Sequence, residues 1–269
     1  MSGPRDPRPA DGLRARLEEG GLSWPAPIEH FESLTSTSDR LKELAREGAP
    51  EWTAIVADRQ TAGRGRQGSL WVSPPGNLFL SVLLRPALDN EKAGLVPLVA
   101  GAAVCEAVRS FGAPATVKWP NDILVGERKL AGVLSEANWV EGVLDAVFLG
   151  IGVNVALDPH ELPPELRPRT TSVVAETSHP VDRDAIAAEV LARLRVWYHA
   201  LRHRGAVIVE EWQALSSPWW GRRIEIRSGD ATIEGVARGV DASGALLLQR
   251  DDGQVVRVLA GEARRLRLG

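Results

Sequence analysis

A chain of 269 residues is long enough for one large domain, or for a large and a small one. Its 32 basic residues are outnumbered by 35 acidic ones, and the formal charge of −3 argues against a nucleic-acid binder that works by neutralising many phosphates. A single cysteine, Cys105, excludes internal disulfides and cysteine-rich metal centres, and the longest apolar runs are broken by Gly, Pro or charge before they reach membrane-spanning length.

Met1–Gly12 is rich in Pro, Arg and Asp, has no apolar core of a signal sequence, and reads as a disordered lead-in to a cytoplasmic protein. Leu13–Pro27 predicts one short helix, stopped at Trp24-Pro25-Ala26-Pro27; that is too little for a helix-turn-helix, so no DNA binding is expected. Residues 1–27 are therefore set apart from a first domain over 28–217. Ile28–Phe31 predicts a strand. The hydroxyl run Ser36-Thr37-Ser38 reads as the cap of a helix carrying Leu41, Leu44 and Ala45.

Further predicted elements follow from apolar spacing. Thr53–Ala57 and Asn77–Leu84 read as strands, the second buried. Leu95–Phe111 reads as a helix apolar around most of its circumference, with Cys105 a small core residue within it. Thr116–Val125 reads as two short strands around a polar turn, Lys129–Glu136 as a strand returning from a hairpin, and Ala146–Val155 as another strand. Asp184–Tyr198 and Gly205–Leu215 read as helices. From Trp219 onward the texture changes: four or five short strands separated by Ser-Gly-Asp, Ala-Ser-Gly and Asp-Asp-Gly turns predict a small SH3-like β-barrel over 218–269.

The loop Gly63-Arg64-Gly65-Arg66-Gln67-Gly68 is the centre of the functional reading. Its glycines let backbone approach a ligand, and its arginines present planar, permanently charged donors to carboxylate or phosphate oxygens. It matches the GxGxxG pattern of dinucleotide-binding turns but runs into Ser73-Pro74-Pro75-Gly76 instead of a helix, so a dinucleotide turn is rejected.

Other polar residues stand out against apolar surroundings. Lys118, Asn121 and Asp122 flank Trp119 and Pro120, and read either as a rim salt bridge or as part of a site. Lys129 opens a strand of small residues. Asn154 ends a buried strand after Gly150 and Gly152, and reads as a backbone cap or as an amide facing a ligand edge. With Trp71 these residues describe a nucleotide site beside an acidic co-substrate. No P-loop is present, so ATP would be held by Arg, Lys and a divalent ion.

Four motifs in this order, QTAGRGRQG (Gln60–Gly68), KWPNDI (Lys118–Ile123), KLAGVLSE (Lys129–Glu136) and GIGVN (Gly150–Asn154), resemble those of biotin protein ligases. The resemblance covers the chain from about Ser33 onward. It implies an α+β fold: a central mixed β-sheet flanked by helices, like class II aminoacyl-tRNA synthetases and the biotin–lipoyl ligases, with the C-terminal SH3-like barrel.

It further implies that biotin reacts with Mg·ATP to give biotinyl-5′-AMP, which acylates a lysine of a biotin carboxyl carrier domain of acetyl-CoA carboxylase or a related enzyme. The resemblance assigns Lys129, Arg66, Asp122 and Lys118 to catalysis. Biotin would be held by Ser36, Thr37, Ser38, Gln60, Arg64, Gly65, Arg66, Lys129 and Gly132. ATP would be held by Arg64, Arg66, Trp71, Asn121, Lys129 and Asn154. No protein metal site is assigned beyond magnesium on the ATP phosphates, and monomer and homodimer stay open. Ser38 stands where the family commonly has Asn, which bears on the ureido contact. The alternatives are a lipoate or octanoate ligase, which shares the fold, and a non-catalytic biotin-binding or regulatory module.

Overall fold

The computed structural model describes residues 7–228 and 231–265. Part of the expected disordered lead-in is ordered. Strand β1 (Arg8–Pro9) pairs antiparallel with strand β2 (Ile28–Phe31), and helix α1 (Asp11–Glu19) starts directly after it. Ala10, Leu13 and Leu17 are buried, so three apolar side chains tie down a stretch whose Pro- and Arg-rich composition had marked it as loose. Residues 1–6 of that expectation lie outside the described residues.

The parallel pairing of β2 with strand β3 (Ala54–Ala57) requires a crossover, supplied by helix α2 (Thr37–Arg46). Antiparallel pairing then adds strands β4 (Leu78–Leu84), β5 (Thr116–Lys118), β6 (Asp122–Val125), β7 (Arg128–Val140) and β8 (Val143–Val153). The sheet order is β1-β2-β3-β4-β8-β7-β6-β5. Strands β7 and β8 outrun their predicted lengths because their far ends pair only with each other, where apolar patterning is weak and side chains are largely exposed.

Alternation sorts each strand between two faces. On β4, Leu78, Leu80, Val82 and Leu84 face the main core, where helices α3 (Val96–Ser110), α5 (Arg183–His203) and α6 (Gly205–Leu215) pack. Leu83 faces the opposite side, with Ile55, Ala57, Ala146 and Phe148, and is covered by Leu41 of α2. Along β8 the same rule sends Leu149, Ile151 and Val153 into the main core. Gly150 and Gly152 therefore fall on the α2 side of the sheet, which α2 covers only in part. A short helix α4 (Val173–Thr177) follows the loop after β8.

With the turn before it, α3 is long and apolar enough to cross a membrane (mean hydropathy 1.4 over 92–110), contrary to the sequence expectation that no run approaches a span. Two-thirds of that segment (67%) is buried, packed against α5 and the sheet, so its apolarity serves the core. Cys105 lies in it fully buried, its thiol pushed up to about 12 by burial, consistent with a core residue.

The C-terminal strands β9 (Arg223–Ser228), β10 (Ala231–Val240), β11 (Leu246–Gln249), β12 (Val255–Val258) and β13 (Glu262–Arg265) form a separate antiparallel sheet ordered β12-β11-β10-β9-β13. The expected Ser-Gly-Asp turn lies in part outside the described residues, as do residues 266–269. This sheet docks on the first unit through specific polar contacts. Trp119 Nε1 donates to Gly244 O (3.1 Å), and Val240 N donates to Gln213 Oε1 (3.1 Å).

Candidate active site

A cavity of about 570 Å³ opens on the sheet face that α2 leaves bare. Its floor follows from register. Gly152 pairs with Phe79 on one side and Gly132 on the other, and Gly132 pairs with Asp122; one row further, Gly150 lies between Ser81 and Leu134. Three missing side chains in adjacent strands hollow out the sheet surface. A Cβ on Gly150 would lie 2.8 Å from Ser38 Oγ, and one on Gly152 would lie 2.5 Å from the Trp71 ring.

One end of the cavity is built from hydroxyls and an amide. Ser81 Oγ donates to Thr37 Oγ1 (2.8 Å), and Thr37 Oγ1 and N donate to Gln60 Oε1 (3.1 and 2.9 Å). Gln60 Nε2 donates to Ser73 Oγ (3.1 Å). Because the Ser81 proton is committed to Thr37, Ser38 Oγ is the donor in its 3.1 Å contact with Ser81. Its lone pairs are left as acceptors on the cavity wall. Ser36 is the N-cap of α2, accepting from Asp39 N (3.4 Å), so the hydroxyl run both caps the helix and lines the cavity.

The other end is charged. Asp122 lies between two ammonium groups, Lys129 Nζ at 2.5 Å and Lys118 Nζ at 3.1 Å. Burial pushes its carboxyl up, but the two lysines together outweigh burial and hold it below the usual carboxylate range. The salt bridge is thus half-buried, and only one of its lysines reaches the cavity. Lys129 lines it; Lys118, expected to be catalytic, does not, and its ammonium instead lies 5.8 Å from the Trp219 ring. Lys118 thus stands behind the cavity-lining Asp122.

The glycine–arginine loop folds tightly on itself, with Gly65 N donating to Ser69 O (2.8 Å) and Trp71 N to Gly63 O (2.9 Å). Its two arginines diverge. Arg66 donates to Asn121 Oδ1 (3.3 Å) and to Gly261 O of the C-terminal sheet (3.0 Å); burial pulls its guanidinium below the usual range, against the charges of Asp122 and Glu262. Arg64 turns outward to Asp39 (2.5 Å) and Glu136 (2.6 Å). Lys129 Nζ stands 5.1 Å from the centroid of the Trp71 ring, whose indole Nε1 is buried without a hydrogen-bond partner.

Asn154 lines the cavity, yet its Nδ2 donates to Thr171 O (3.0 Å) and Lys129 O (3.3 Å). Both donors are thereby committed to backbone, and only Oδ1 is left for a ligand. The structure thus brings Ser36, Thr37, Ser38, Gln60, Arg64, Gly65, Arg66, Trp71, Asn121, Asp122, Lys129, Gly132 and Asn154 to one cavity and leaves Lys118 outside its lining. Sequence reasoning passed over Ser81, whose signal was a lone hydroxyl in an otherwise apolar strand. It also passed over Glu262, for which no local signal exists because another sheet delivers it.

A pocket with a hydrogen-bonding end, a cationic end and an indole between suits an elongated ligand with a polar head and an anionic tail. Comparison with known proteins narrows this. Residues 30–154 match the Biotin/lipoate A/B protein ligase family, and residues 220–263 match the Biotin protein ligase C terminal domain. The biotin–[acetyl-CoA-carboxylase] ligase of Paracoccus denitrificans is 35% identical over 75% of this chain and 86% of its own length. The chain belongs to the biotin protein ligase family.

The enzyme of the same name from Mycobacterium tuberculosis is 31% identical over 98% of this chain and 97% of its own. Among solved structures, the biotin protein ligase of Aquifex aeolicus in complex with biotin and ATP has a TM-score of 0.77 and 31% identity, covering 89% of this chain and 99% of that one. The ligase fold expected from the motifs, a mixed sheet with flanking helices, is the fold found, and a separate C-terminal antiparallel sheet stands where the SH3-like barrel was expected.

Proposed function

We propose that this protein is an ATP-dependent biotin ligase, and that the cavity described above holds biotin and ATP together. The observation that carries the reading is the joining, in one cavity, of the buried hydroxyl–amide chain to the Arg66–Lys129 cations, in a chain of this family. The ureido head lies at the hydroxyl end, where a Ser38 lone pair accepts from a ring N–H. The carboxylate lies at the cationic end.

The first step brings two anions together. A biotin carboxylate oxygen attacks the α-phosphorus of ATP, the bond to the bridging oxygen breaks, and pyrophosphate leaves. Fixed cations at Arg66 and Lys129 offset the repulsion and stabilise charge on the five-coordinate phosphorus. Asp122 holds the Lys129 ammonium in place. In the second step a lysine amine of the carrier attacks the acyl carbon, AMP leaves, and the amine gives up a proton as the amide forms.

Trp71 covers the adenine on this reading. Magnesium travels with the ATP phosphates on this reading, since such ions are commonly bound through substrate phosphates. The acceptor is a biotin carboxyl carrier domain, as the names of the relatives indicate for those proteins. The negative net charge speaks against DNA binding, and a lone buried cysteine suits a cytoplasmic location. A lipoate substrate is not favoured, because the C-terminal match and the named relatives are to biotin ligases. Incubation with biotin, Mg·ATP and an apo-carrier domain tests the proposal: one carrier lysine should gain one biotinyl group, strictly with ATP. A carrier left unmodified would overturn it.

A further inference from the structure

The resemblance places Arg64 among the residues that hold biotin and ATP, but its side chain is already engaged. Arg64 Nη1 meets Asp39 Oδ1 at 2.5 Å, and Nη2 meets Glu136 Oε1 at 2.6 Å. Asp39 stands in the first turn of α2, directly after the cavity-lining Ser36, Thr37 and Ser38. Glu136 stands on β7, the strand that carries Lys129 and Gly132 into the same cavity, and its Oε1 also accepts from Lys42 Nζ (2.8 Å). The guanidinium therefore spans from the hydroxyl wall to the lysine wall, with the glycine loop attached to it. Two carboxylates facing one guanidinium also leave it little net positive potential to offer a third anion.

We propose that Arg64 is a positioning residue, a strap that fastens the glycine–arginine loop to α2 and β7 and thereby keeps the acyl adenylate in the cavity until the acceptor lysine arrives. It does so without touching the reacting atoms. The two arginines of the loop thus divide the work. Arg66 points along the cavity to Asn121 and the C-terminal sheet, while Arg64 ties down the loop's other side. This inference rests on the biotin-ligase reading of the site.

The strap has a signature that a direct substrate contact lacks. Asp39→Asn combined with Glu136→Gln removes both anchoring charges and leaves the arginine in place. In single-turnover reactions with biotin and Mg·ATP, this variant should form biotinyl-AMP within about twofold of the wild-type rate and release it about tenfold faster, the loss expected from two partly exposed ion pairs acting together. Arg64→Gln should release it equally fast, and adding that change to the double variant should have no further effect. Wild-type release should accelerate with added salt more steeply than release from the double variant, which has lost the screened Arg64 pairs and keeps only the cations on the adenylate itself.

Wild-type retention in the Asp39→Asn/Glu136→Gln protein, with slowed adenylate formation in Arg64→Gln, would show that the arginine acts on substrate and that the strap is wrong. A wild-type protein that makes no adenylate at all would overturn the activity and the strap with it.

Discussion

Lys129 and Asp122 face each other at 2.5 Å on the cavity wall, and Lys118 closes on the other oxygen of the same carboxylate at 3.1 Å. Three charges in a row, only two of them lining the cavity, separate a substrate contact from its support. Lys129→Ala removes a cation from the proposed phosphoryl-transfer site and should lower biotin-dependent ATP–pyrophosphate exchange by about a hundredfold or more. Lys118→Met reaches the reaction only through Asp122 and should cost about tenfold or less. Steady-state exchange on the two variants checks the order; equal losses would place Lys118 on the substrate.

The pH dependence of the same triad follows from sign. Asp122 has a folded-state value depressed below its unfolded one, so its ionisation stabilises the fold fully above pH about 4 and that stabilisation is lost as pH falls through the lower folded value. The difference in unfolding free energy between wild type and Asp122→Asn should be constant at neutral and mildly acidic pH and shrink only below pH about 4. Denaturant titrations across that range give the answer. A wild-type advantage that grows as pH falls from about 7 to about 5 would mean the carboxyl is raised, not lowered.

Gly152 is the seat of Trp71. A methyl group there would lie 2.5 Å from Cε2 and 2.8 Å from Nε1 of the indole, so Gly152→Ala must push the ring off the sheet. The expected result is a rise of about tenfold in the KM for ATP, with a smaller change in the KM for biotin. Trp71→Phe, with a smaller ring, should be partly compensating: the double variant should be less impaired than the product of the single effects. Strict multiplicativity would show that the glycine serves something other than the tryptophan.

Ser81 links Ser38 to Thr37 in a fully buried position. Ser81→Ala leaves the Ser38 proton and a Thr37 lone pair without their partner, which should raise the KM for biotin by about tenfold and leave that for ATP near its wild-type value. Parallel KM measurements for the two substrates make the comparison.

Much of this was legible in the chain because local chemistry and spacing carried it. The apolar periods marked β3, β4, α3, α5 and α6, and the four polar motifs announced residues that converge on one cavity. What escaped was set by long-range geometry. Lys118 is four residues from Asp122 and looks like an equal partner, but strand β5 turns it toward Trp219 of the interdomain turn. Gly261 reaches Arg66 from 195 residues away, a pairing that no window of sequence contains. Asn154 could be read as a cap or a ligand reader, and the carbonyls of Lys129 and Thr171, not its neighbours, decide where its donors go. The order in residues 8–12 depends on β2 being there to pair with and on a core for Leu13.

The proposed activation of the biotin carboxylate against ATP by a cationic wall is the feature on which the rest depends. Exchange of labelled pyrophosphate into ATP, run side by side with biotin, lipoate and octanoate, tests it most directly. Biotin should support exchange, the two fatty acids should leave it at background, and Lys129→Ala should lower the biotin signal by about a hundredfold or more. Exchange driven equally by lipoate or octanoate, or absent with biotin, would contradict the account.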